Sequence, residues 1–272
     1  MVDDRLLDAV GSLVRQYGRP DYLPLIGIAG SQGSGKSTLA RAAASALGAA
    51  QFSLDDVYLT RQERLAMGRS VHPLFEVRGP PGTHDLGLLT KTISTLRAAT
   101  KASHTPLPAF DKLSDERAPQ AAWPVFLGRP KAILVEGWCL GATAQSEAEL
   151  AKPLNELERD RDAEGIWRRA VNQALGSAYA ETFAAFDAVL FLQAPGFDTV
   201  LDWRCEQEAG LMGLAPEDLP DSRRAELAVF VQGFERLTRH MLSGGVRADV
   251  VVRLGEGRLV LGLASGIRPW PE

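Results

Sequence analysis

The sequence predicts an α/β fold, a parallel sheet flanked by helices on both faces. Three observations carry this. Short apolar runs at 25–29 ("LIGIA"), 132–138 ("AILVEGW") and 188–193 ("AVLFLQ") have the length and bounding residues of buried strands. Segments with helical periodicity lie between them, and strands alternating with helices favour parallel pairing. A glycine-rich loop joins the first strand directly to a helix.

The elements follow in order. Leu6, Leu7, Val10, Leu13, Val14 and Tyr17 recur at helical spacing, so 1–22 holds an opening helix that Gly18 ends. The strand at 25–29 precedes an alanine-rich helix at 36–47, stopped by Gly48. "QFSL" (51–54) is a second strand and delivers Asp55 and Asp56. The stretch 61–85, dense in proline and glycine toward its end, reads as loop. A helix is expected at 86–99, and the prolines of "HTPLPAFDK" hold that segment extended. After the strand at 132–138, residues 146–186 read as mostly helical. Two helices, 197–211 and 222–242, flank the loop "GLAPEDLPDS", and "DVVVRL" with "RLVLGLA" closes the chain as a hairpin over "GEG". No repeat or long linker divides the chain, so one domain over 1–272 is expected.

The composition is that of an ordinary globular protein, with 272 residues, 45% hydrophobic, 24% charged and a net charge of −4. Without a basic run, neither nucleic acid nor a membrane surface is expected as the main partner. The start "MVDDRLLDAV" lacks the features of a secretory signal, and no apolar run nears the roughly 20 residues that span a bilayer. Cys139 and Cys205 are far apart and form no metal or redox pair, so a cytoplasmic protein is expected. The histidines His72, His104 and His240 are scattered, which disfavours a histidine metal site.

The loop from Gly30 to Ser37 fits G-x-x-x-x-G-K-[ST] in the context that pattern requires, after a strand and opening a helix. It predicts a P-loop NTPase-type sheet. Gly30, Ser31, Gln32, Gly33, Ser34, Gly35, Lys36, Ser37 and Thr38 would present main-chain N–H groups to a nucleoside triphosphate. Lys36 would reach the β- and γ-phosphates, and the Ser37 hydroxyl would ligate Mg²⁺. Ligands of open parallel sheets sit beyond the carboxyl ends of the strands. Three carboxylates occupy such positions: Asp55, Asp56 and Glu136. Asp55 is the first candidate for a base, Asp56 the alternative with a turn or cap role against it, and Glu136 a metal or water-positioning group.

"GSQGSGKS", "SLDDVYLT", "VRGPPGTHD", "PAFDK", "VEGW" and "WRCEQE" follow one another in an order that resembles the P-loop metabolite kinases, among them uridine kinase, pantothenate kinase and phosphoribulokinase. The pattern is most similar to the D-glycerate 3-kinase type and its bacterial kinase-like relatives. The resemblance implies that Asp55, with Tyr58, is the general base and that Glu136 and Gly137 hold the magnesium-side acidic position. It places Arg78, Thr83, His84, Asp85, Asp111 and Lys112 at the acceptor substrate, and Arg204 at the start of a mobile helical lid. Phe110 stands where relatives carry tyrosine, and "LSDERA" replaces a glycine-rich segment, leaving Arg117 as the equivalent cation.

Phosphoryl transfer relies on positioning and charge stabilisation, so Arg223 and Arg224 join Arg204 as candidates in a lid over about 204–224. An acidic acceptor would need Arg78, Lys112 or Arg117. Asn155, Glu158, Trp167 and Arg168 read as a pocket wall or as helix packing, and Trp138 and Trp203 as core or pocket wall. The expected activity is transfer of the γ-phosphate of ATP, with Mg²⁺, to a hydroxyl of a small-molecule acceptor, D-glycerate or a related sugar acid first. Another acceptor (uridine, pantothenate or a sugar phosphate) and a nucleotide-dependent switch are the alternatives. Oligomeric state leaves no trace in the sequence.

Overall fold

The computed structural model describes residues 2–265. In chain order its elements are α1 (Asp4–Tyr17), β1 (Leu25–Gly30), α2 (Lys36–Leu47), β2 (Ala50–Ser53), α3 (Arg61–Ser70) and α4 (Leu86–Arg97). Short strands follow, β3 (His104–Pro106), β4 (Phe110–Asp111), β5 (Glu116–Arg117) and β6 (Val125–Leu127), then β7 (Ile133–Gly137). The helices α5 (Glu147–Leu150), α6 (Glu156–Arg161), α7 (Ile166–Ala174) and α8 (Ala180–Ala184) lead to β8 (Ala188–Gln193). The last elements are α9 (Phe197–Met212), α10 (Asp221–Leu242), β9 (Val250–Leu254) and β10 (Val260–Ser265).

Six strands form one sheet in the order β10-β9-β8-β1-β7-β2, parallel throughout except for the antiparallel β9–β10 hairpin. Every residue of β1 is buried, as a central strand covered on both faces requires. Its side chains alternate between two cores: Leu25 and Ala29 pack with Leu89, Phe183 and Met241, whereas Ile26 and Ile28 pack with Val10, Leu39 and Ala43. The mostly parallel sheet between helical layers is the architecture the apolar runs predict. No helix among the described residues is long and apolar enough to cross a membrane.

Three local readings need correction. Residues 61–70 form a helix, not loop: Thr60 caps it, accepting from the Glu63 amide while the Glu63 carboxylate accepts from the Thr60 amide. The second strand ends at Ser53, and Leu54–Val57 is a 3-10 turn that carries both aspartates. The 146–186 region breaks into short helices with a π-helical turn at Leu175–Tyr179. Two buried ion pairs fix that region, Arg168–Asp162 at 3.0 Å and Arg236–Glu158 at 2.6 Å, with Asn155 also bonded to the Gln232 carbonyl. Buried charges persist only when paired in this way. These bonds tie Asn155, Glu158 and Arg168 into helix packing, and Trp167 and Arg168 also line a cavity with Pro80, Pro81 and Trp138.

Candidate active site

Strand register levels the parts of the site. Ile28 of β1 and Ser53 of β2 both pair with Glu136 of β7, so the phosphate loop, the Glu136 carboxylate and the turn after β2 leave the sheet at one edge. Gly35, at φ 90°, caps α2 without any side-chain bond, which leaves the first-turn amides open to an anion. Gly33, at φ 72°, lies so close to α9 that a Cβ would stand 2.5 Å from the Trp203 Cβ. Only glycine fits that approach.

The Ser37 hydroxyl donates to Glu136 Oε1 at 2.9 Å, and Lys36 Nζ lies 3.9 Å from Glu136 Oε2. Oε2 is buried with no hydrogen-bond partner. A hydroxyl and an under-satisfied carboxylate are the kind of oxygen donors that suit Mg²⁺. Among the described residues no cluster of three histidine, cysteine or acidic side chains could hold a metal.

Asp55 Oδ1 accepts from the Tyr58 hydroxyl at 2.8 Å, and Oδ2 takes the Lys112 ammonium at 3.0 Å. Burial pushes its pKa up, but Lys112, Lys36 and the Tyr58 bond together hold it at about 2. Asp56 faces its own backbone, accepting from the Ser53 amide at 2.9 Å, and burial foremost lifts its pKa to about 6. The neighbouring aspartates thus separate into one aimed at cations and one that caps a turn.

Tyr58 stacks on His84 with ring centroids 4.6 Å apart. His84 Nδ1 lies 2.6 Å from the Tyr179 hydroxyl, whose oxygen also accepts from the Gly82 amide at 2.9 Å. That assignment sends the phenol proton to Nδ1 and leaves the imidazole proton on Nε2, which is buried and unpartnered. Burial lowers the His84 pKa to about 4, so the ring is neutral near pH 7.

The other acceptor-side candidates are held by neighbours. Arg78 pairs with Asp115 and lies 5.7 Å over the Phe110 ring. Arg117 bonds Asp85 at 3.0 Å and the Tyr58 carbonyl at 2.9 Å. Asp85 also caps α4 through the Leu88 amide. Thr83 is fully buried, its hydroxyl donating to the Pro80 carbonyl and accepting from the Gly79 amide. Asp111 is exposed and accepts from the Leu113 amide and the Ser114 hydroxyl. The geometry thus brings Asp55, Tyr58, His84 and Lys112 together beside Lys36 and Glu136. Thr83, Asp85 and Asp111 shape the surrounding loops. Trp138 donates to the Gly79 carbonyl and braces the same loop.

Sequence reasoning missed Arg64, fully buried and bonded to the Leu59, Glu76 and Asp115 carbonyls, and Tyr179, which orients His84. The capping pair Thr60–Glu63 was the available signal for the helix that carries Arg64.

Arg204 lies on α9 beside Trp203 and pairs with Glu208 at 2.6 Å, its Nη1 buried and unpartnered. Arg223 pairs with the same Glu208, and Arg224 stands 3.7 Å from Asp202. Cys205, Ala209, Leu219 and Leu227 form a separate small core that joins α9 to α10.

A phosphate loop on the central strand, a strand-end glutamate at its Lys-Ser pair and an aspartate from the next strand edge define a P-loop small-molecule kinase. No family model matches the chain. The chain belongs to the kinase family of mug58, an uncharacterized kinase of Schizosaccharomyces pombe; the two are 31% identical over 240 residues, covering 81% of this chain and 83% of that protein. It is also 31% identical over 222 residues to the chloroplastic D-glycerate 3-kinase of Arabidopsis thaliana, spanning 74% of this chain and 46% of that protein. A solved D-glycerate 3-kinase from Cryptococcus neoformans var. grubii shares the fold, with a TM-score of 0.76, 22% identity and coverage of 97% of this chain and 98% of that one.

Proposed function

We propose that the protein transfers the γ-phosphate of ATP to a hydroxyl of a small carboxylated polyol, D-glycerate first, within one domain whose lid spans about 204–224. The observation that carries this reading is the Asp55 carboxylate held between Tyr58 and Lys112, at the sheet edge that bears Lys36 and Glu136. Residues 30–38 cradle the triphosphate, and Ser37 and Glu136 would hold magnesium, which when bound offsets charge on the phosphate oxygens.

Asp55 Oδ2 accepts the proton of the acceptor hydroxyl as that oxygen bonds to the γ-phosphorus. The bond to the β–γ bridging oxygen breaks, and ADP leaves with the electron pair. Lys36 and Arg204 balance the charge that develops. A base held at about 2 is weak at rest, which suits a site that should not activate water. An acceptor carboxylate that draws Lys112 away strengthens Asp55 at the moment it is needed. His84, neutral and with its proton on Nε2, donates to an acceptor oxygen. Arg117 and Arg78 supply the surrounding positive field. The relationship to the Arabidopsis D-glycerate 3-kinase supports glycerate as the first acceptor.

The test is ADP release from MgATP with D-glycerate, uridine, pantothenate and ribulose 5-phosphate offered separately. Release stimulated by D-glycerate supports the reading; release indifferent to every acceptor contradicts it and favours a switch NTPase.

A further inference from the structure

The turn between β9 and β10 reaches back to the phosphate loop through one side chain. Arg258 Nε donates to the Gly33 carbonyl at 2.6 Å, its Nη1 pairs with Glu206 of α9 at 2.6 Å, and its guanidinium carbon lies 4.9 Å from the centre of the Trp203 ring. The Trp203 indole in turn donates to the Glu256 carbonyl at 2.6 Å. Arg258 adopts φ 61°, a left-handed conformation that side chains rarely take, in a turn closed by its own amide on the Gly255 carbonyl. Glycine would suit this backbone better, so the arginine is there for what its side chain holds.

We propose that Arg258 is a positioning residue for nucleotide binding, clamping the phosphate loop and tying it to the lid helix. A peptide flanked by a glycine can in principle turn over, which makes the direction of the Gly33 carbonyl matter. The Gly33 carbonyl accepts from Arg258; turned over, its oxygen would face the anion side of the loop and repel a bound polyanion. A charged hydrogen bond at 2.6 Å holds the carbonyl toward Arg258. Glu206 is two residues from Arg204, so the same guanidinium also anchors the helix that carries the phosphate-side arginine. The C-terminal hairpin thereby joins loop and lid. This rests on the phosphate-loop reading above, and the test separates the two.

Calorimetric titration of MgADP into the full chain needs no acceptor. Arg258→Gly relieves the backbone conformation while removing the clamp, so it should keep or raise the melting temperature and weaken MgADP roughly tenfold. Arg258→Lys, which keeps a donor, should recover part of that loss. Glu206→Gln should weaken MgADP in the parent but have little further effect in the Arg258→Gly background, because the two act through one contact. Should Arg258→Gly lose its fold, Arg258→Met keeps the apolar stem over Trp203 and gives the same comparison. Folded Gly or Met variants that bind MgADP as the parent does would overturn the clamp. Failure of the unsubstituted protein to bind MgADP would instead overturn the phosphate-loop reading itself.

Discussion

The ammonium of Lys112 lies 3.0 Å from the Oδ2 of Asp55, so the resting site holds its candidate base against a cation. The contact raises the Lys112 pKa as it lowers that of Asp55. It makes the strength of the base depend on what else Lys112 can bind.

Lys112→Met tests that dependence through pH. Asp55 is held at about 2, below its ordinary value of 3.8, so it stays ionised throughout the working range. Removing the nearby positive charge leaves burial dominant and raises that pKa. The acid limb of the kcat/KM profile should therefore move to higher pH, while KM for the acceptor rises. The linked stability has the same sign. The contribution of Asp55 is complete above its unfolded value and is lost as pH falls through about 2 in the parent. An acid limb that does not move would show that Lys112 does not tune this carboxylate.

Substituting each neighbouring aspartate separates the base from the cap. Asp55→Asn should cut kcat by about 10²–10⁴-fold, the range of a lost general base, with nucleotide affinity nearly unchanged. Asp56→Ala should leave most turnover in place and cost about 1 kcal/mol of stability through the lost turn cap. Steady-state kinetics with thermal melts distinguish them; the reverse pattern would move the base to Asp56.

Glu136→Gln and Ser37→Ala address the cation. Both should raise the magnesium concentration needed for half-maximal turnover, because the buried Glu136 Oε2 and the Ser37 hydroxyl are the proposed magnesium ligands. Lys36→Ala should abolish turnover with the fold kept. An unchanged magnesium titration in both donor variants would place the metal elsewhere.

His84 should act as a neutral donor. Its pKa is lowered to about 4, chiefly by burial, so no inflection near pH 6.5 should arise from it. Between about 4 and 6.5 the unfolded chain binds the proton more readily, so this histidine makes stability fall as pH drops through that window. His84→Gln should flatten that part of the melting profile, and His84→Ala should lower kcat/KM for the acceptor about tenfold through one lost hydrogen bond. A full-sized stability slope in His84→Gln would assign it to another group.

The parts of the fold and of the candidate site that were legible in the sequence are those set by neighbours in the chain. The glycine spacing at 30, 33 and 35, the Lys-Ser pair and the apolar runs of β1, β7 and β8 are local patterns with one structural solution. Helix α3 escaped because its sequence is polar and arginine-rich, offering a cap but no apolar stripe, and its buried residues are Arg64 and Gly68. Tertiary partners decided the cations. Arg78 and Arg117 are arginines near the site in any reading, yet Asp115 and Asp85 engage them, and no spacing rule announces those pairs. Arg258 is 225 residues from Gly33, and only the folding of β9 and β10 against the loop brings them together. Its unusual φ leaves no mark in the sequence "GEGR".

The central claim is that an acceptor alcohol, not water, takes the γ-phosphate at Asp55. Phosphorus NMR of the protein with MgATP and D-glycerate tests it most directly. The account predicts a new phosphomonoester signal that grows in step with ADP, requires glycerate and disappears in Asp55→Asn. Inorganic phosphate as the sole product, formed at the same rate with and without glycerate or any other acceptor offered, would contradict it.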